Sequence, residues 1–66
     1  MNDPIEMGGA DFRDRRIRLQ LTQAQMAALL GCTRQHIWNL EDRVAVPAVY
    51  ALALMQIEAA RENAAA

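Results

Sequence analysis

Lysine is absent from this 66-residue chain, cysteine and histidine occur once each, and phenylalanine, tyrosine and tryptophan also occur once each. A single cysteine excludes an intramolecular disulfide and fits a reducing compartment. Cys32 and His36 lie four residues apart, a spacing that can share one helical face. A structural zinc site needs four ligands, however, and the chain has no other cysteine or histidine. Cys32 therefore reads as an apolar filler at a turn and His36 as a polar residue on an exposed helical side. No catalytic site, metal or cofactor is expected. No apolar run approaches the roughly 18–20 residues of a membrane span. Asp3 and Glu6 precede the first base, Arg13, which argues against a secretory leader, so a cytoplasmic protein is expected. Sixty-six residues make one domain, and one this small is marginally stable alone. Association with a second copy is a natural source of further buried area.

The charge present is unevenly spread. The net charge is −1, yet residues 11–43 hold six arginines against four acids, for +2, while residues 1–10 carry −2 and residues 44–66 carry −1. Basic charge is thus concentrated in the middle of the chain, where an anionic partner would be met.

Residues 1–10, MNDPIEMGGA, lack helical periodicity, contain Pro4, Gly8 and Gly9, and read as a mobile arm. A first helix is expected from Asp11 or slightly earlier to about Gln20, with Phe12 and Leu19 in the core and Arg13, Arg15 and Arg18 solvated. Thr22, with Gln25 three residues later, matches a capping box and opens a second helix that ends at Gly31. Thr33 caps a third helix running to about Asp42. Residues 43–46 form a loop, and Pro47 suits the first position of a fourth helix, which frays near residue 62. The expected domain spans residues 11–62, with a frayed tail at 63–66. The fourth helix is apolar on two sides. Val49, Leu52 and Met55 form one stripe, and Tyr50, Leu54 and Ile57 form another. One stripe closes a core, and the second is a candidate subunit interface; the alternative is that the domain wraps both stripes against its other helices or leaves some alanine-flanked surface exposed.

Residues 23–42, QAQMAALLGCTRQHIWNLED, carry the most information. Two short helices meet at a glycine turn. Ala27 permits close approach, Gly31 supplies a reversal that favours φ > 0, and Ile37 and Leu40 bury against the preceding helix. This is the pattern of a helix-turn-helix, whose second helix enters the major groove of DNA.

The ordered set Arg16, Leu21, Thr22, Gln23, Ala27, Leu30, Gly31, Thr33, Ile37, Leu40 and Glu41, followed by Pro47, resembles the phage repressor and Cro type of helix-turn-helix domain over residues 12–57. The resemblance implies an all-α, lambda-repressor-like domain of four or five helices. It implies base readout by Arg34, Gln35, His36 and Asn39, and phosphate contacts by Gln23 and Thr33, to which we add Thr22 and Arg43. It also implies an ion pair between Arg16 and Glu41 tying the first helix to the end of the third. The family often has glycine where this chain has Arg43, so the third helix ends through another turn or Arg43 becomes left-handed. Trp38 is unusual on that helix. It either touches a DNA sugar or a thymine methyl, or packs sideways.

The expectation is a small dimeric transcriptional regulator, plausibly an autorepressor of a bacterium or phage, that binds an inverted-repeat operator in double-stranded DNA. The Tyr50, Leu54 and Ile57 stripe would form its homodimer contact. No small-molecule ligand and no membrane contact are expected. The alternative is a protein-interaction or dimerisation module, or an antitoxin-like subunit, on the same scaffold.

Overall fold

In the computed structural model, which describes residues 6–65, four helices follow one another: α1 (Gly9–Arg18), α2 (Gln23–Leu30), α3 (Arg34–Glu41) and α4 (Ala48–Ala65). No strand occurs among the described residues. None of their helices is long and apolar enough to cross a membrane. One apolar core joins all four helices: Phe12 from α1, Met26 and Ala27 from α2, Ile37 and Leu40 from α3, and Ala51 and Leu54 from α4. Each large side chain fully buried there is worth about 1.5–3 kcal/mol.

Local chemistry sets the boundaries. The Thr22 hydroxyl accepts from the Gln25 N–H at 3.0 Å, and the Gln25 side chain accepts from the Thr22 N–H at 2.8 Å, so the capping box forms as read from sequence. Gly31 ends α2 in the left-handed region at φ 72°, and the Cys32 N–H donates to the Ala27 carbonyl at 2.9 Å. A Cβ at Gly31 would meet nothing within 4 Å, so backbone conformation alone selects glycine there. Cys32 then packs against the core as a turn filler, and burial pushes its thiol pKa up. The Thr33 hydroxyl accepts from the His36 N–H at 3.1 Å and opens α3. Pro47 lies just before α4 rather than in its first turn, and its carbonyl accepts from the Tyr50 and Ala51 N–H groups.

The ends of α1 and α4 differ from expectation, and α3 ends by one of the two routes left open. α1 stops at Arg18, and Gln20 follows in the left-handed region at φ 60°, its N–H donating to the Ile17 carbonyl at 2.8 Å while the Leu21 N–H reaches the Arg16 carbonyl at 3.3 Å. Arg43 is not left-handed: α3 closes through Asp42 at φ −90°, ψ −4°, and no glycine is required. α4 continues to Ala65, three residues past the expected fraying point, on a run of alanines with high helix propensity.

The largest departure concerns the stretch read as a mobile arm. Residues 1–5 lie outside the described residues, but Met7 is buried in the core and α1 already begins at Gly9. The Met7 carbonyl accepts from the Val46 N–H at 2.7 Å, and the Gly9 N–H donates to the Arg43 carbonyl at 3.0 Å. A Cβ on Gly9 would lie 2.4 Å from the Arg43 carbonyl oxygen and 2.6 Å from those of Leu40 and Glu41. Gly9 therefore serves close approach. The amino end of α1 abuts the carboxyl end of α3, where the Gly9 N–H and the positive dipole end meet the Arg43 carbonyl.

α4 presents the opposite stripe from the one expected. Leu54 is fully buried, and Tyr50 and Ile57 are half-buried against the core. Leu54 is thus a core residue and not an interface residue. Of the other stripe, Val49 and Leu52 are 66% and 46% exposed, while Met55 is half-buried against the core. Both stripes are apolar enough to bury. The tether from Met7 to Val46 and the turn at Pro47 fix the helix's roll and so decide between them.

Candidate nucleic-acid interface

α3 is buried on one side and free on the other. Successive residues of an α-helix step by about 100°, so Ile37 and Leu40 share the buried side, while Arg34, Gln35, Trp38 and Asn39 share the opposite one. All four are exposed. The Gln35 amide donates to the Asn39 side-chain oxygen at 3.4 Å, linking the two across one turn.

Trp38 stands near the middle of this face and is 55% exposed. It walls two shallow grooves. One is completed by Gln23, Arg34 and Gln35, the other by Arg13, Gln23, Glu41 and Asp42. Residues of α1, α2 and α3 and Asp42, and none of α4, share these grooves with Trp38. The helical step places residue 38 between residues 34 and 35, an angle legible in the sequence.

His36 is a correction in the other direction. Its ring lies against Tyr50 of α4, centroids 5.0 Å apart and planes tilted by 56°, and its Nε2 is buried without a hydrogen-bond partner. At about 200° from Arg34 on the helix wheel, His36 faces α4. It is a packing residue between helices and not part of the outward set.

Behind the outward face lies a polar anchor. Arg16 of α1 is buried and donates to both carboxylate oxygens of Glu41 at 2.6 and 3.3 Å, and also to the Leu21 carbonyl at 2.8 Å. The Gln23 amide donates to the same carboxylate at 3.0 Å. Glu41 therefore receives donors from α1 and from the first residue of α2, which locks the end of α3 against both. The ion pair implied by the family resemblance is present. Such pairs fix orientation more than they add net stability.

The expected phosphate-binding residues surround this face unevenly. Thr22 and Thr33 are exposed at the starts of α2 and α3; each hydroxyl oxygen accepts the helix cap and retains its O–H to donate outward. Gln23 is half-buried, with its amide engaged by Glu41. The Arg43 side chain is exposed at the far end of α3, and Arg13 is exposed beside Trp38. Of the α1 arginines expected in solvent, Arg15 is instead paired with Glu58 of α4 at 2.6 and 2.9 Å. Arg61 of α4, which carried no expectation, donates to the Leu19 carbonyl at 2.9 Å.

Comparison with protein-family models, curated proteins and solved structures finds no match for this chain, so its functional reading rests on the residues themselves.

Proposed function

We propose that the chain is a sequence-specific, double-stranded-DNA-binding transcriptional regulator of the phage repressor and Cro helix-turn-helix type, acting as a homodimer. One observation carries the reading. α3 turns Arg34, Gln35, Trp38 and Asn39 outward together while Ile37, Leu40 and the Arg16–Glu41–Gln23 anchor hold its other side. A rigid helix with an unoccupied polar face suits insertion into a major groove about 12 Å wide. On this reading Arg34 pairs with guanine O6 and N7 and Gln35 with adenine N6 and N7, each worth about 1–3 kcal/mol of discrimination. Thr22, Thr33, Arg43 and Arg13 take phosphates and set register.

The homodimer contact moves to the other side of α4. Val49, Leu52, Gln56, Ala59 and Ala60 are exposed along one face that carries no charge, whereas exposed α1 residues include Asp11, Arg13, Asp14 and Arg18. Depletion of charge marks the centre of protein interfaces. A twofold axis there gives two copies of α3, to be matched by half-sites about 34 Å apart on an inverted repeat.

Selection of bound duplexes from a random pool tests the function. An enriched inverted repeat, bound more weakly as salt rises, is the expected result. Arg34→Ala should weaken the selected duplex about tenfold or more with the helical content unchanged. Leu52→Glu should shift the sedimenting species to monomer. The second reading, a protein-interaction module, draws on the net charge of −1 and the exposed Trp38. It requires that no duplex be enriched.

A further inference from the structure

We propose that Trp38 is a specificity-determining residue that reads the 5-methyl group of a thymine next to the guanine paired with Arg34. The inference rests on the DNA reading above and names which base feature the aromatic ring recognises. Trp38 lies one helical turn after Arg34, on the same outward face, and the two wall a single groove with Gln35 and Gln23. Arg34 and Gln35 project hydrogen-bond donors into that groove. Trp38 adds an apolar wall, exposed over about half its surface.

In a major groove the only apolar feature offered by a base edge is the C5-methyl of thymine, or the same methyl on a modified cytosine. An indole placed one turn from an arginine on guanine covers the neighbouring step. Closure of the ring over a methyl removes apolar area from water at both surfaces. Over an unmethylated cytosine the ring has no methyl to cover, and that burial is lost. Trp38 thereby distinguishes bases by methylation state rather than by Watson–Crick identity, a property the polar side chains beside it lack.

The test uses the duplex selected by the full chain. Each thymine is replaced singly by deoxyuridine, which removes one methyl and leaves all hydrogen-bonding groups. One position per half-site, adjacent to the essential guanine, should lose about three- to tenfold in affinity. At that position 5-methylcytosine should bind better than cytosine by a similar factor. Trp38→Ala should bind the thymine and deoxyuridine duplexes equally, and Trp38→Phe should keep most of the discrimination. A thermal melt by circular dichroism establishes that both variants fold. Deoxyuridine tolerated within twofold at every position, or a thymine preference retained by Trp38→Ala, overturns the proposal while leaving the DNA reading standing. If no duplex is enriched at all, both fall together.

Discussion

Arg15 and Arg16 are neighbours on α1, and each forms a two-pronged bond to a glutamate, yet the two junctions they make are unlike. Arg16 reaches Glu41 of α3, with the two side chains 10% and 5% exposed. Arg15 reaches Glu58 of α4, with 23% and 28% exposed. The first pair is shielded, shares its carboxylate with Gln23 and sits beside the close contact of Gly9 with the end of α3. The second is wetted by solvent and supplemented only by Asp11 at 3.5 Å and by Arg61 on the Leu19 carbonyl. The same chemistry therefore plays two parts. At the α1–α3 junction it dictates geometry, because an unpaired charge there has no water to turn to. At the α1–α4 junction it is a clasp that solvent can replace.

That contrast can be broken from its strong side first. Arg16→Ala should cost about 3–5 kcal/mol in chemical denaturation, because Glu41 is left buried without its partner. Pairing Arg16→Met with Glu41→Gln should recover part of the loss. A cost below about 1 kcal/mol for the single variant would make the two junctions equivalent. Gly9→Ala should cost about 3 kcal/mol, since its Cβ would overlap three backbone carbonyls that side-chain motion cannot clear. Ala10, at the next position of the helix, is exposed, and Ala10→Ser should be nearly silent.

At the weak junction, Arg15→Ala should cost about 1 kcal/mol or less, and less again in high salt. It should also alter the pH dependence. The hydrogen bond from Arg15 outweighs partial burial and holds the Glu58 carboxyl below the ordinary carboxylate range. A depressed folded-state pKa contributes stability that is present above the unfolded-state value, about 4.3, and is lost as pH falls through the lower folded-state value. Denaturation measured between pH 6 and pH 3 should thus show a small acid-side loss in the native chain that Arg15→Ala removes. The smallest effect is expected outside both junctions. Gln20→Gly should stabilise by about 0.5 kcal/mol by relieving a left-handed conformation, partly offset by the greater freedom of the unfolded chain.

How far the sequence carried depended on the range of the interactions. α2 and α3 are defined by contacts spanning three to five residues, and the Thr22 box, the Gly31 reversal and the Thr33 cap could be read directly from the letters. Arg16 and Glu41 were legible through the family resemblance, and Arg34, Gln35 and Asn39 occupy the outward face they were assigned. Features set by distant partners were not legible. Gly8 and Gly9 have the composition of a loose arm, and only the carbonyls of residues 40–43 show that glycine at position 9 permits tight packing. Leu54 and Leu52 are the same residue type on opposite sides of α4, so no local preference separates core from surface. The polar character of His36 does not reveal that its helical angle faces α4, whereas the angle of Trp38 puts it between Arg34 and Gln35 on the exposed side.

The isolated position of Trp38 has one practical outcome. It is the sole tryptophan, and about half of it is exposed on the folded protein, so its emission should change less on unfolding than that of a buried ring. Whatever covers α3 must cover the fluorophore, which would be quenched or shifted to the blue. The molecule therefore carries its own optical reporter for occupancy of that face, and a titration can be followed without attaching a dye.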